Sequence, residues 1–329
     1  MMNRKDNLMA IIHHQAHDHI GGFMDKADCG NDAEIFENGP ADGSGGLDGF
    51  GMEWARNSAG FGAGTPAPGK CILPDVTEWK KYVKFPDITK YDWQGQADRQ
   101  LADFNPAERV LEYGCWNGPF LRLVDLMIFE NGLMAFFEEP EACAELLNAI
   151  VDYRIGTLEY IKKYFNPDIV TLYDDFAHER GLFISPAVYD TLISPVHKKW
   201  ADAVRSYGMI PFKHVCGKCE EVVDRFVDEG YAGWNICQPE NDLVGLQKKL
   251  GDKLVFSGCW DLQAKWIKPG IRPTEEQLRA KVREAIDLYG PGGNLVLGPI
   301  IFNPAISIAE SSPILKDELG KYGTNYYCK

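Results

Sequence analysis

The chain has 329 residues, 45% hydrophobic and 25% charged, a balance that supports a large buried core and excludes disordered, collagenous and coiled-coil proteins. Its 34 basic and 48 acidic residues leave a formal charge of −14, which repels nucleic-acid backbones and anionic membranes, so small molecules or another protein are the expected partners. No apolar run reaches the roughly 18 to 20 residues of a membrane span. The opening MMNRKDNLMAIIHHQAHDHIGG lacks the apolar core and cleavage site of an export signal, and a cytoplasmic location is expected.

Within that opening, His13 and His17 are four residues apart, but the glutamate of H-E-x-x-H is missing and a metalloprotease is not indicated. Residues 30 to 70 are rich in Gly, Ala, Asp and Pro, with too little periodicity for regular elements. Phe50, Trp54 and Phe61 are costly to leave in water, so this stretch is expected to cover the mouth of a site.

From residue 106 the pattern alternates. PAERVLEYG reads as a strand, PFLRLVDLMIFENGLMAFFEE and PEACAELLNAIVDYRIGTLEYIKKY as helices, DIVTLYDD as a strand, and SPAVYDTLISPVHKKWADAVRSYG as a helix with a Ser-Pro start. MIPFKHVCG, YAGWNICQ, KLVFSGCWD and NLVLGPII then read as strands, separated by the helical CEEVVDRFVDEG, DLVGLQKKLG and TEEQLRAKVREAIDLYG. Alternation at this spacing predicts an α/β protein, a single (β/α)8 TIM barrel with an N-terminal extension. The expected division is 1–90 for the extension over the barrel mouth and 91–329 for the barrel.

In such a barrel chemistry gathers at the C-terminal strand ends, which here carry Asp174 and Asp175, His214 and Cys216, Cys237 and Gln238, and Cys259, Trp260 and Asp261. In His214-Val215-Cys216-Gly217 the imidazole and the thiol project from one face of a strand and can reach one ion of the kind zinc exemplifies. Of the consecutive acids, one faces the barrel interior and the other the helical layer. An inward Asp175 is expected to orient substrate or assist proton delivery, and capping of a helix is the competing role. Nine cysteines, an odd number without an export signal, are read as reduced thiols, and four of them fall between 216 and 259. No dinucleotide fingerprint, P-loop or nucleophile elbow is present.

NRKDNLMAIIHHQAHDHIG, LYDDFAHERGLFISPAVYDTLISPVHKK, HVCG and QPENDLVGLQKKLGDKLVFSGCWD together resemble the uroporphyrinogen decarboxylase superfamily, and within it the cobalamin-dependent methyltransferases, over nearly the whole chain. HVCG resembles the zinc-binding H-x-C-G of the methylcobamide:thiol methyltransferases. The arginine-bearing M-R-Q-A-G-R of the decarboxylases is absent, as is the further Cys of the thiol enzymes near the last strand, where this chain has LVLGPIIFNP. The third ligand beside His214 and Cys216 is therefore sought elsewhere, first at Cys259, with Cys219, Cys237, Gln238 and Glu240 as alternatives.

The resemblance implies a zinc-dependent enzyme that moves a methyl group from a small methoxylated or N-methylated substrate to the Co(I) of a corrinoid carried by a separate protein. The chain lacks the D-x-H-x-x-G of a corrinoid-binding module. Trp54, Trp116 and Trp260 are expected to wall the substrate, with Gln238 and Asp261 also touching it. Competing readings are a methylcobamide:thiol methyltransferase, a decarboxylase of a smaller acid, and a non-catalytic barrel that binds a corrinoid or metal.

Overall fold

The computed structural model describes residues 2–30, 45–55 and 65–328. Eight parallel strands form one sheet: β1 (Gly21–Gly22), β2 (Lys26–Gly30), β3 (Val110–Cys115), β4 (Ile169–Tyr173), β5 (Ile210–His214), β6 (Gly233–Cys237), β7 (Val255–Gly258) and β8 (Leu295–Leu297). Their order is β1-β8-β7-β6-β5-β4-β3-β2. The two edges, β1 and β2, are separated only by the turn Phe23–Asp25, so the sheet returns on itself and closes as a (β/α)8 TIM barrel.

The six strands expected from the sequence are β3 to β8, and the expected helices between them are present. Ser185 caps the predicted Ser-Pro start, its side chain accepting from the amide of Val188. Two features were not anticipated. Residues 21–30, which the sequence reading places in the extension, supply β1 and β2. A final helix, Ile308–Tyr322, starts with a capping box of Ser307 and Glu310 and carries Pro313 within it, a residue that breaks the helical pattern when only sequence is read.

The N-terminal end of the barrel is stoppered by the helix Arg4–Ile12, whose Leu8, Ile11 and Ile12 pack on Val110, Ile169, Phe212, Val255 and Val296 from five strands. β1 passes so close beneath its neighbours that a Cβ at Gly21 would lie 2.9 Å from Ile11 and one at Gly22 2.8 Å from Leu319. A side chain at either position would have to displace the methyl ends of Ile11 or Leu319. At the other end the barrel is open, and the strand ends form a funnel.

The described part of the Gly-rich stretch forms small antiparallel strands, Gly46–Leu47, Glu53–Ala55 and Thr65–Pro66. Its hub is Asp48, fully buried, which accepts from the amides of Phe50 and Met52 at 2.9 Å and from Trp54 Nε1 at 3.1 Å, and pairs with Arg122 at 2.6 Å. Arg122 stands near the start of the helix Pro119–Met127 that leaves β3, so this piece is fastened at the C-terminal end of the barrel. Phe61 lies outside the described residues. Among the described residues no helix is long and apolar enough to cross a membrane.

The closing turn yields a pH test. Burial pushes the Asp25 carboxyl up to about 6, against the opposing pull of the Gly22 amide, Arg4 and His19, whereas an unfolded chain titrates near ~3.9. The folded state thus binds the extra proton between these values, and stability falls as pH rises through that window, by about 3 kcal/mol once the carboxylate is charged. Asp25→Asn should melt higher than the wild type at pH 8 and about equally at pH 4 in calorimetry. A pH-independent difference would show that Asp25 does not carry this penalty.

Candidate metal centre and funnel

Side chains alternate along β4 and β5, so their C-terminal ends each send one polar group outward and one inward. Outward, Asp174 accepts from the amides of Phe120 and Leu121 at 3.1 and 2.9 Å and caps the helix after β3. It also meets His197 Nε2 at 2.7 Å. Lys213, fully buried, contacts Glu229 and His197 at 2.7 Å and the Tyr189 hydroxyl at 2.5 Å. These groups satisfy one another in the helical layer.

Inward, Asp175, His214 and Cys216 each offer one donor atom, and the three atoms lie within 4.8 Å of one another. His214 Nε2 is 3.3 Å from Cys216 Sγ and 4.0 Å from Asp175 Oδ1. Donors of one tetrahedral zinc sit about 3.3 to 3.7 Å apart, so small side-chain shifts bring all three onto one ion. The backbone holds them ready, because Asp175 accepts from the Cys216 amide at 2.6 Å.

Asn235 Oδ1 stands 2.6 Å from His214 Nδ1 and its amide nitrogen donates to Ser257. In that orientation Nδ1 must carry the proton, leaving the Nε2 lone pair facing Cys216 and Asp175. Burial lowers the His214 pKa and keeps the ring neutral, as ligation requires. Burial also raises the Cys216 thiol, with Asp175 adding to the shift, and raises the Asp175 carboxyl. A divalent cation reverses both, since it stabilises thiolate and carboxylate together. One thiolate, one imidazole and one carboxylate with room for a further ligand is a donor set that fits zinc.

After Cys216 the chain turns sharply at Gly217, φ 87°, where a Cβ would lie 2.7 Å from the His178 backbone. The Gly217 amide donates to Gln238 at 2.5 Å, and Asn241 bridges the Cys219 amide and the Gly217 carbonyl. An aromatic stack rises beside the cluster: Tyr173 lies on His214 with ring centres 4.2 Å apart, and Trp116 on Tyr173 at 3.9 Å. The cavity enclosed has a volume of about 690 Å³ and includes Phe23, Ile236, Leu262, Ile300 and Phe302 on its apolar side, a size suited to a small organic ligand. A cavity of similar size, about 680 Å³, opens at the stoppered end between Arg4, Asp25, Arg109 and Leu319, and none of the strand-end residues reaches it.

Of the sequence-predicted residues, the funnel brings together Asp175, His214, Cys216, Trp116 and Gln238. Glu240, an alternative ligand in the sequence reading, also lines it, away from the three-residue cluster. Cys259 is fully buried and outside the cluster, because Gly258 (φ 116°) and Cys259 (φ 48°) are both left-handed and break the strand's alternation. Cys259, Trp260 and Asp261 therefore line a separate recess of about 240 Å³ against the helix Glu275–Tyr289. Cys219 and Cys237 are likewise buried and outside the cluster. Trp54 serves the Asp48 hub and does not line the funnel.

Sequence reading missed Lys26, Asp28, Glu112, Tyr173 and Asn235. Lys26 and Glu112 form a buried ion pair in the funnel wall, and Thr171 donates to Glu112 at 2.5 Å. Period-two counting back from Asp175 finds Tyr173, and the strand register places Asn235 opposite His214.

The geometry predicts about one zinc per chain in purified protein, lost in His214→Ala and Cys216→Ala and retained in Cys259→Ala. Asn235→Ala should weaken zinc about 10- to 100-fold by freeing the imidazole tautomer. Elemental analysis with chelator competition measures both, and full zinc in the doubly substituted His214/Cys216 protein would rule the site out.

The model of the uroporphyrinogen decarboxylase (URO-D) family matches residues 62–316. A solved structure similar to this chain, a methyltransferase from Methanosarcina mazei, shares its fold at 14% identity, with 98% of this chain and 99% of that one covered and a TM-score of 0.65. No curated protein matches the chain in sequence. With the family model spanning most of its length and its strands closing as that fold requires, the chain belongs to the uroporphyrinogen decarboxylase family.

Proposed function

We propose that the chain is a zinc-dependent methyltransferase that moves a methyl group from a small methoxylated or N-methylated donor to the Co(I) of a corrinoid protein. The observation that carries this reading is the Asp175, His214 and Cys216 cluster at the funnel floor. An ether or amine methyl is unreactive because its leaving group is poor, and a nucleophile such as Co(I) takes it only when that group is stabilised. Zinc bound by these three side chains would supply Lewis-acid stabilisation of the leaving heteroatom.

The chain's own residues do the rest. Asn235 holds His214 in the ligating tautomer. Asp175, expected from sequence to handle substrate or protons, is assigned here as the third ligand in place of Cys259. A single thiolate in the set leaves more positive charge on the ion than two would, which favours activating an ether or amine over a thiol. Trp116 and Tyr173 wall one side of the cavity and exclude water from the reacting pair. The likeness to the Methanosarcina mazei methyltransferase is in keeping with this chemistry. Uroporphyrinogen decarboxylation is disfavoured, because no arginine is among the described residues that line the funnel and a substrate with many carboxylates needs such partners.

The purified protein, mixed with a separately prepared Co(I) corrinoid protein and a panel of methoxylated and N-methylated donors, should methylate the corrinoid, as followed by its visible spectrum. His214→Ala and Cys216→Ala should each lower the rate by about 100-fold or more. Efficient thiol methylation with no donor able to charge the corrinoid would reverse the direction, and inertness in both directions would favour a carrier or sensor.

A further inference from the structure

The charge pattern of the funnel is not used by the metal chemistry. Lys26 is the lysine among the described residues lining the cavity, and its ammonium is already committed to the buried Glu112 carboxylate. At the rim, Lys265 is held at 2.6 Å by both Glu179 and Glu240, one cation against two acids. No lysine or arginine of the described lining is thus left to receive an anion.

Acceptors, by contrast, stand ready. Asp28 follows Lys26 by two positions on β2, so it shares the inward face, and it lines the cavity in contact with solvent. It is paired in register with Glu112 and lies in the field of Tyr173. No hydrogen bond or ion pair to its carboxylate occurs among the described residues. Partial desolvation in the funnel wall, offset by Lys26 and reinforced by Glu112, holds its carboxyl above the ordinary range, a state that a donor or cation placed against it would relieve.

The second acceptor is on the opposite wall, three residues past β6. Glu240 spends Oε1 on Lys265, while its Oε2 is buried without a hydrogen-bond partner among the described residues. Glu240 also lines the cavity. A buried carboxylate oxygen left without a donor is unfavourable, and a ligand hydroxyl or ammonium is the kind of group that removes this deficit.

We infer that the methyl donor is neutral or cationic, that its non-methyl end carries hydroxyl or ammonium groups taken by Asp28 and Glu240, and that carboxylate-bearing donors are rejected. This rests on the methyltransferase reading for the word donor, while the charge rule concerns the cavity alone. With the methyl end at the metal position, a carboxylate at the other end of the donor meets the acids of the wall and no unpaired lysine or arginine, and like charges brought together without solvent are strongly disfavoured.

The experiment is calorimetric binding to the zinc-loaded protein of 4-methoxybenzylamine, 4-methoxybenzyl alcohol and 4-methoxybenzoate, which differ chiefly in the charge at the non-methyl end. The amine and the alcohol should bind, and the benzoate about tenfold or more weaker. Asp28→Asn and Glu240→Gln should each shrink the preference for the amine over the benzoate several-fold, with metal content and circular dichroism unchanged. Benzoate binding equal to or tighter than the amine, an unchanged ratio in both variants, or no binding of the amine and the alcohol overturns the inference. Binding in the expected order with no methyl reaching the corrinoid overturns the functional reading and leaves the charge rule standing.

Discussion

The period-two alternation of side chains where β4 and β5 end is the constraint on which the site depends. Asp174 and Asp175 are consecutive, as are Lys213 and His214, and β4 and β5 are paired so that His214 lies opposite Tyr173. The ladder continues past the strand end through the Asp174 amide, which donates to the His214 carbonyl at 3.1 Å. One member of each pair is therefore locked into the helical layer by full hydrogen bonding, and that fixes the backbone from which the other member projects. The funnel residues inherit their positions from partners on the far side of the sheet. A one-residue slip would exchange the two sets, burying Asp175 and His214 among helices and removing them from the funnel.

A second consequence concerns the aromatic stack. Gly30 and Gly114 face each other across β2 and β3, and a Cβ on either would lie 3.1 or 3.2 Å from Trp116 Nε1. Two bare positions at one level let the indole lie flat over the strand tops and press Tyr173 onto His214. Orientation of the ligand ring is thus secured twice, by the hydrogen bond from Nδ1 to Asn235 and by stacking on its face. The candidate metal cluster, the aromatic wall and strand packing share the same few residues, so they are coupled by geometry.

Much of this was legible in the sequence, for identifiable reasons. β3 to β8 are buried on both faces and read as short apolar runs bounded by turn residues, and the helices between them carry their own start signals. His214 and Cys216 could be placed together because positions two apart on a strand share one face. β1 and β2 were not found, since Gly-Gly and Lys-Ala-Asp-Cys-Gly have no apolar run, and the inward Lys26 and Asp28 are polar because they line a funnel. Cys259 follows a strand at a plausible distance, and the two successive left-handed residues that set it apart from the funnel cluster are features no period reveals. Asp175 was read as an inward acid, and only the closed barrel shows its oxygen within reach of the imidazole and the thiol.

The central claim is that a single sulfur, an imidazole and a carboxylate from the ends of β4 and β5 hold the metal. Zinc K-edge X-ray absorption of the purified protein tests it most directly by counting sulfur in the coordination shell. The account predicts one sulfur at about 2.3 Å with the remaining ligands nitrogen and oxygen at about 2.0–2.2 Å. Two or more sulfurs would contradict it, since that requires Cys219, Cys237 or Cys259 to leave the helical side of the barrel and enter the funnel.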